Sequence, residues 1–391
     1  MSNTSTTRPV GSPAVLVNAS PLKCVGLTLE RGGVTPLCDI PSHRNGTSRR
    51  LRAAVSLLLA SLAVVLASGC HKAPAPWQPL PPPPVQDRRK VTLAAVGDVL
   101  LARGVGQYMA KHGAEYPLEK TKAAIADSGI AFFNLECPLS KRGVAQRRQF
   151  LFRADPALAK MVHAGGFDVA CLANNHTLDY GRRAMMDTVE AVRKAGMTAV
   201  GAGKDRKDAL QVRVVESNGL RVGFIAYTDL PSSGVVRLAD RPTVAGVNTD
   251  EIPAQVKKAK EKCDVLAVSF HWGIEYMKRP TERQRKLAHL CIDNGADLML
   301  GHHPHVLQTV EVYKDRPIVY SMGGFVWDPK LKDTDKSAIY VFELRKSAAI
   351  LTKTVPIRIV KCRPLLVQAR KAGSRPSAPR SGPRAEPASK T

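Results

Sequence analysis

The chain has 391 residues, of which 44% are hydrophobic, and its formal net charge is +25. This length and apolar content allow one α/β domain of catalytic size with additional tails. The excess of basic residues favours anionic partners, but no basic array with interleaved aromatic residues and no helix-turn-helix pattern occurs, so we expect no nucleic-acid partner. The eight cysteines have no paired spacing, which argues against a zinc ribbon or a disulfide scaffold.

The N-terminal part of the chain is predicted to carry an export signal. Residues 1–48 are polar without hydrophobic periodicity, so we expect them to be disordered or to precede the true translation start. Residues 49–70 combine an arginine-rich start, an apolar stretch and a small-residue end, which is the layout of a signal segment. Because their last five residues resemble a bacterial lipobox, we expect lipidation of Cys70 and a membrane-anchored lipoprotein of the cell envelope. A plain secretory signal or an uncleaved anchor is the alternative.

Composition divides the rest of the chain into a tether, a folded domain and a tail. Residues 71–89 are rich in proline and predict an extended tether. Residues 90–362 hold the apolar, periodic segments and predict the folded domain. Residues 363–391 are rich in Arg, Pro, Ser and Ala, and we expect them to form a disordered basic tail.

Strand-like and helix-like segments alternate through the predicted domain. The strands predicted in its first part are 91–96, 130–133, 168–172, 198–200, 212–216, 221–227, 265–270 and 298–300. Helical patterns at 181–195, 254–262 and 281–293 separate several of them. The last part is β-rich, with strands predicted at 306–313, 317–320, 338–344 and 355–360. This alternation predicts an α/β fold of mixed sheets with helices outside them.

Polar side chains follow several of these strands at the point where each strand ends. Asp98 and Glu136 follow the first two strands, and His271 follows the strand at 265–270. Because ligands in open α/β sheets bind beyond the carboxyl ends of the strands, we expect these side chains to share one site. Carboxylates and imidazoles are ligands of divalent metals. The pattern therefore predicts a metal site, although each residue alone has a structural explanation, such as a helix cap or a core histidine.

Two further clusters extend this prediction. The triplet Asn174-Asn175-His176 provides a carboxamide oxygen that can ligate metal and an imidazole that can transfer protons. Asp179 follows three residues later, close enough to orient the imidazole. For the triplet taken alone, a simple turn is an equal alternative. The segment His302-His303-Pro304-His305 places three histidines directly after a strand, which favours imidazole ligation.

The order of these motifs resembles that of the bacterial CapA/PgsA family, which is associated with poly-γ-glutamate capsule synthesis. The motifs are Gly-Asp, Asn-Leu-Glu, Asn-Asn-His, His-Trp-Gly-x-Glu-Tyr and Gly-x-His-Pro-His-Val-Leu-Gln, spread over residues 91–330. The family is similar to the calcineurin-like metallophosphoesterases, which implies a four-layer αββα sandwich with a metal site at the strand ends. The implied metal positions are Asp98, Glu136, Asn175, His271, His303 and His305. The resemblance also implies that His176 is the acid beside the reacting group, and Asp179 is its catalytic neighbour.

The chain departs from the metallophosphoesterase pattern at two motifs. Leu100 replaces the histidine of the usual Asp-x-His, and Asn134-Leu135-Glu136 replaces the usual Gly-Asp. With these changes, we expect the site to hold one metal in place of two. The metal would be Mn, Zn, Fe or Mg.

The resemblance implies an exported protein that acts in synthesis or attachment of an anionic capsule polymer, as a metal-dependent, phosphoesterase-like hydrolase. Its partners would be the anionic polymer or a phosphoester substrate, a membrane through the lipid anchor, and capsule synthase subunits. The alternative is a non-catalytic component that binds the polymer or the synthase. A phosphodiesterase for nucleotides or phospholipids, with no capsule role, is a third hypothesis.

Overall fold

The computed structural model describes residues 89–231 and 238–367. The predicted signal segment with Cys70, the predicted tether up to residue 88 and residues 368–391 lie outside the described residues. Within the described ranges, no helix has both the length and the apolar character needed to cross a membrane.

Strands and helices follow one another through the described part much as the apolar pattern predicts. The strands are β1 (Val91–Val99), β2 (Ile130–Leu135), β3 (Val169–Cys171), β4 (Thr198–Val200), β5 (Ala202–Gly203), β6 (Arg213–Ser217), β7 (Leu220–Thr228), β8 (Thr243–Val244), β9 (Val265–His271), β10 (Leu298–His302), β11 (Val310–Tyr313), β12 (Arg316–Val319), β13 (Gly324–Val326), β14 (Lys336–Arg345), β15 (Ala348–Val360) and β16 (Arg363–Leu366). The helices are α1 (Arg103–His112), α2 (Lys122–Ala126), α3 (Leu158–Ala164), α4 (Gly181–Lys194), α5 (Arg206–Ala209), α6 (Ile252–Lys260) and α7 (Glu282–Asp293).

The long strands form two mixed sheets. The first has the order β16-β15-β14-β1-β2-β3-β4, with β13 also paired to β1. The second has the order β11-β12-β10-β9-β7-β6. Within them, β1, β2 and β3 run parallel, as do β7, β9 and β10. Their carboxyl ends therefore lie at one edge of each sheet, where the polar motifs were predicted to meet.

The two sheets pack face to face and are flanked by helices. One apolar cluster lies between the sheets and includes Phe132 of β2 and Phe224 of β7, whose rings stack with centroids 5.7 Å apart. A second cluster joins the outer face of the first sheet to helices that include α1 and α4, through Val105 and Val189. A third joins the second sheet to α6 and α7. This confirms the predicted four-layer αββα sandwich, because the central strands of each sheet are buried on both faces.

The folded domain continues past the predicted boundary at residue 362. Residues Arg363–Leu366 form β16, which pairs antiparallel with β15, so the prediction that the disordered tail begins at 363 is wrong for these residues. Pro364 is tolerated because β16 is the edge strand of its sheet, where a missing backbone N–H costs little. The Arg363 guanidinium also lies over the Tyr116 ring, 4.6 Å from its centroid. Composition alone does not reveal this pairing.

The end of β1 requires a glycine. The pairing of β1 with β2 shifts register between Ala95 and Asp98, and the Asp98 N–H donates to the Gly323 carbonyl at 3.0 Å. A Cβ atom on Gly97 would lie only 1.8 Å from that same carbonyl oxygen. This close approach of two backbone segments fixes the direction in which Asp98 leaves the strand.

We expect Gly97→Ala to destabilise the protein by about 3 kcal/mol, because the added methyl group must displace the backbone at Gly323. Urea unfolding of the variant measures this loss. The matched control is Gly106→Ala in α1, where the new Cβ would meet its nearest neighbour, the Leu101 carbonyl, at 3.7 Å. Since alanine is favoured over glycine within helices by about 1 kcal/mol, the control should be neutral or stabilising. Equal stability of the two variants would contradict the prediction.

Candidate metal centre

Five of the six predicted metal ligands meet at the edge where β1, β2, β9 and β10 end. Two groups of three residues each place one ligand atom per residue within 4.8 Å of one another. These groups are Asp98, Glu136 and His271, and Glu136, His303 and His305. Glu136 belongs to both groups, and all five side chains are buried. The cluster is therefore continuous, with Glu136 at its centre.

The individual distances describe a compact arrangement. His305 lies with Nδ1 3.0 Å from Asp98 Oδ2 and Nε2 3.6 Å from Glu136 Oε1. His271 Nε2 lies 3.8 Å from the same Glu136 oxygen. The strand register accounts for part of this, because His271 and His302 are direct partners in the β9–β10 pairing.

Two asparagines that the sequence prediction passed over support the cluster. Asn134 Nδ2 donates to Asp98 Oδ1 at 2.8 Å and lies 3.3 Å from His271 Nδ1. Asn174 Nδ2 in turn donates to Asn134 Oδ1 at 3.0 Å. Such amide contacts fix the orientation of a ligand carboxylate. Both residues stand in motifs used for the prediction, but their neighbours Glu136 and Asn175 were chosen as ligands.

His302 is a further residue that the ligand prediction omitted. It is fully buried, and its Nδ1 lies 3.4 Å from Asp98 Oδ1. Its ring also packs against Phe132, with centroids 5.9 Å apart. Its place in the histidine cluster was the available signal. Within the described residues, both of its ring nitrogens are buried without a hydrogen-bond partner, as are ligand atoms of the cluster.

Two other positions of the sequence prediction are Asn175, the sixth predicted ligand, and Leu100, which replaces the histidine of Asp-x-His. Asn175 is buried, and its backbone carbonyl accepts a hydrogen bond from Arg148 Nη1 at 2.6 Å. The Asn175 side chain is in neither of the three-residue ligand groups, which comprise carboxylates and histidines. Leu100 is fully buried in the apolar cluster beside the first sheet. The position that holds a histidine in the Asp-x-His motif is thus a core position in this chain.

Several residues around the site have left-handed backbone conformations. His303 has φ 96° and His305 has φ 55°, while Arg103 and Tyr276 have φ values of 56° and 65°. Residues with side chains adopt such angles at a cost of about 1–3 kcal/mol, and they concentrate at functional sites. The sharp turns aim His303 and His305 back toward the ends of β1 and β2.

Burial and neighbouring charges shift the ionisation of the cluster in opposite directions. Burial alone raises the pKa of Asp98, but interactions with His302 and His305 outweigh it and hold this pKa well below its usual range. Burial, together with the negative charges of Asp98 and Glu275, raises the pKa of Glu136 well above its usual range.

Burial also lowers the pKa of His271 well below its usual value and that of His303 to about 3. Neutral imidazole is the form that binds metals, so both histidines are ready to act as ligands at neutral pH. The raised pKa of Glu136, by contrast, favours its protonated form, and a bound cation would favour the carboxylate.

The cluster has the chemistry of a divalent-metal site. Within residues 89–231 and 238–367, both carboxylate oxygens of Glu136, Nε2 of His271 and Nδ1 of His303 are buried without a hydrogen-bond partner. Unpartnered buried polar atoms are costly, and they are rare unless an ion, a water or a catalytic role accounts for them. Mixed carboxylate and imidazole ligands fit a divalent first-row metal such as Mn, Fe or Zn. The residues therefore fit the predicted cofactor class.

The predicted catalytic pair adjoins the cluster. His176 Nδ1 lies 2.8 Å from Asp179 Oδ2, and its Nε2 lies 4.0 Å from Glu136 Oε1. Asp179 is fixed by two further donors, the Phe152 N–H at 2.8 Å and Arg148 Nη1 at 3.0 Å. Burial lowers the pKa of His176, and the hydrogen bond to Asp179 opposes this shift. This network directs Nε2 of His176 toward the candidate metal centre.

A cavity of about 350 Å³ opens in front of His176 and His305. Its walls carry four aromatic side chains, which are Phe150, Phe152, Tyr276 and Trp327. Phe152 stacks on His176 and Trp327 stacks on His305, with ring centroids 4.0 and 4.1 Å apart. Arg103 also lines the cavity and is held by Asp328 at 3.3 Å. A substrate in this cavity would contact both histidines directly.

The fold and the site together define an α/β sandwich protein with a candidate carboxylate–histidine metal centre at its strand ends. The chain belongs to the family described as bacterial capsule synthesis protein PGA_cap, whose model matches residues 92–329. This confirms the family that the motif order resembles. The match spans the metal cluster, the His176–Asp179 pair and most of both sheets.

Similar proteins have been described in other bacteria. Capsule biosynthesis protein CapA of Bacillus anthracis is 32% identical over 317 residues, which cover 78% of this chain and 76% of that protein. PGA biosynthesis protein CapA of Bacillus subtilis (strain 168) is 31% identical over 276 residues, covering 70% and 73%. A solved hypothetical protein from Thermus thermophilus matches 68% of this chain and 97% of its own, at 14% identity and a TM-score of 0.40.

We expect Glu136→Gln to abolish metal binding yet stabilise the metal-free protein. Because folding raises the pKa of Glu136, this residue contributes to the free energy of unfolding. The contribution is fully present below the unfolded pKa of about 4.5 and is lost as pH rises through the raised value. Gln does not ionise, so the gain over the native protein should grow with pH and reach about 2 kcal/mol. Urea unfolding in chelator across pH 4 to 8 measures it.

Subtracting the native free energy of unfolding from that of Glu136→Gln at each pH isolates the effect of Glu136. His271 and His303 have lowered pKa values, so their contribution to stability is lost as pH falls below about 6.5, which is the opposite direction. Glu190→Gln is the matched control, since Glu190 lies on the surface and pairs with Lys194. It should reproduce the native pH curve. A Glu136→Gln curve parallel to the native one at every pH would refute the prediction.

Proposed function

We propose that this protein is a metal-dependent, phosphoesterase-like hydrolase that acts in synthesis or attachment of an anionic capsule polymer of the poly-γ-glutamate type. One observation carries the catalytic part, namely the buried carboxylate–histidine cluster with unpartnered ligand atoms directly beside the His176–Asp179 pair. Family membership and the names of its relatives support the polymer part.

The roles of the residues follow from their contacts. Asp98, Glu136, His271, His303 and His305 would hold the cation, and Asn175 remains a predicted sixth ligand. When bound, the cation supplies Lewis-acid polarisation and neutralises charge on a phosphoryl group. The Nδ1–H of His176 donates a hydrogen bond to the Asp179 carboxylate, so the proton that His176 exchanges with a substrate is at Nε2. The charge of an anionic substrate favours the protonated imidazole, which can then protonate a leaving oxygen.

The cellular setting is part of the proposal. We infer export through the segment at 49–70, lipidation at Cys70 and attachment to an envelope membrane, where capsule synthase subunits would be partners. The arginine-rich start, apolar stretch and Ser-Gly-Cys end of that segment support this inference. Labelling cells with a radioactive fatty acid tests it: incorporation that disappears in Cys70→Ser is expected, and equal incorporation in both would overturn it.

The catalytic proposal is tested on the purified full chain. Elemental analysis should find near-stoichiometric Mn, Fe, Zn or Mg, either as purified or after the chain is supplied with each metal. A screen of aryl phosphomonoesters and phosphodiesters should then find hydrolysis that chelator removes and the same metal restores. A chain that binds none of these metals would overturn the proposal.

A non-catalytic component that binds the polymer or the synthase is the second candidate. Leu100 favours it, because the position of a usual metal ligand is occupied by a core leucine. The two candidates differ in a cell that carries a His303→Ala chain. Capsule polymer should be lost from the cell surface if the centre is catalytic, and it should persist if the protein only binds.

A further inference from the structure

A second cavity lies beside α6, on the outer face of the second sheet. Its volume is about 530 Å³, and it is lined by residues of α5 and α6 and the turns that follow them. We call it the cationic groove and define it by Lys207, Gln211, Gln255, Lys258 and Lys262. It shares no lining residue with the cavity in front of His176.

The charge of the cationic groove is one-sided. Among the described residues, its lining contains four basic residues and no Asp or Glu, whereas four other surface cavities are each lined by at least one carboxylate. Arg206 is neutralised by its ion pair with Glu251. Lys207, Lys258 and Lys262 are exposed, and none forms an ion pair with a carboxylate of the described ranges. Three uncompensated ammonium groups therefore border one depression.

The floor of the groove combines apolar contact with fixed amides. Leu210 and Val212 supply apolar lining, and Gln255 is held at both ends of its amide. Tyr227 Oη donates to Gln255 Oε1 at 2.9 Å, and Gln255 Nε2 donates to Glu251 Oε2 at 2.8 Å. Gln211 uses its oxygen to accept from Arg213 at 3.0 Å, which leaves its Nε2 available to a ligand carbonyl.

We propose that the cationic groove binds an acidic polyamide chain, with lysine ammonium groups paired to its carboxylates and the Gln211 amide donating to its backbone carbonyls. Charge complementarity carries this choice of ligand. Nucleic acid fits less well, because none of the groove's lining residues in the described part of the chain is an aromatic on which a base could stack. Its one guanidinium, the group suited to paired phosphate contacts, is already engaged by Glu251.

The groove extends along α6 from the level of the start of β9 toward the level of its end. Lys262 precedes the first residue of β9 by three positions, and His271 is the last residue of that seven-residue strand. At about 3.3 Å per residue the two ends of β9 lie roughly 20 Å apart. Gln255, further along the groove, contacts Tyr227, whose partner in β9 is Phe270, the residue before His271. A polymer held in the groove would keep its other segments at high local concentration near the metal centre. Binding in the groove requires neither metal nor catalysis. The proposal rests on the proposed role in capsule polymer synthesis and deepens it by naming a site for the polymer.

The test measures polymer binding by the full chain in which the three lysines are replaced together. Lys207→Gln, Lys258→Gln and Lys262→Gln are combined in one variant, and Lys111→Gln, Lys122→Gln and Lys353→Gln form the control, which removes the same charge from other exposed positions. Fluorescently labelled poly-γ-glutamate, poly-α-glutamate and single-stranded DNA of equal charge are titrated at about 0.15 M salt. Thermal unfolding and metal content verify that each variant is folded and loaded like the native chain.

We expect the groove variant to bind both polyglutamates about tenfold more weakly and the control to bind within twofold of the native chain. The estimate assumes that each exposed pair contributes up to about 0.5 kcal/mol. Equal weakening in both variants would mean that only net charge matters, and it would overturn the proposal, as would absent binding by the native chain. Tighter binding of DNA than of polyglutamate would also overturn it and assign the groove to nucleic acid.

Two variants separate the groove proposal from the proposed catalytic function. The His303→Ala chain should lose metal yet retain the native affinity for polyglutamate, whereas the groove variant should keep its metal and its hydrolysis of small aryl phosphoesters.

Discussion

Replacing His303 by Ala is expected to remove metal from the protein almost completely. His303 supplies one of three atoms in a ligand group with Glu136 and His305. Loss of one imidazole from such a group should weaken metal affinity by more than about 100-fold, since even changes to groups that support ligands cost 10- to 100-fold. The measurement is elemental analysis of purified protein after gel filtration, with the metal-to-protein ratio as the readout.

Backbone strain must be separated from loss of the ligand. His303 has φ 96°, an angle that alanine resists and glycine adopts freely. We therefore expect His303→Gly to lose metal like His303→Ala while unfolding at a higher temperature than the alanine variant in chelator. His112→Ala is the control, because His112 is exposed on α1 and lies outside the cluster. A native metal ratio in both His303 variants would exclude this residue as a ligand.

The meeting of candidate ligands that lie at strand ends was predictable from the sequence. Asp98, Glu136 and His271 each follow an apolar run, and parallel strands that end at one edge must bring such residues together. Mixed sheets with helices outside them were predictable for a similar reason, because apolar strands alternating with amphipathic helices are buried between layers. The four-layer αββα arrangement was implied only by the family resemblance. Periodicity and strand direction are local properties, so they can be read from one chain.

Contacts that depend on register or on loop conformation were not predictable. The chain of amides from Asn174 to Asn134 to Asp98 requires the exact alignment of neighbouring strands, which no local pattern encodes. The strand predicted at 306–313 begins only at Val310, because the turns at His303 and His305 direct the chain toward the site first. The aromatic wall formed by Trp327 likewise comes from the loop after β13. Such loops take their shape from tertiary packing.

The second large effect is expected from His176→Ala, which should retain metal but lose about 10²- to 10⁴-fold in kcat on phosphodiesters with poor leaving groups. His176 is in neither ligand group, yet its Nε2 points to the cluster from 4.0 Å away. A group that protonates a leaving oxygen matters most when that oxygen is strongly basic. The loss should therefore be much smaller for p-nitrophenyl esters than for methyl or phenyl esters.

Asp179→Asn distinguishes proton transfer from simple support of the fold. Asp179 holds Nδ1 of His176 at 2.8 Å, and an amide can present its N–H there and favour the wrong tautomer. The variant should show the same dependence on leaving group as His176→Ala, with metal retained. Asp187→Asn, which breaks a surface ion pair with Arg142, is the control and should leave this dependence unchanged. If His176→Ala slows all esters by the same factor, the imidazole positions the substrate and does not transfer the proton, because only proton transfer is sensitive to the basicity of the leaving oxygen.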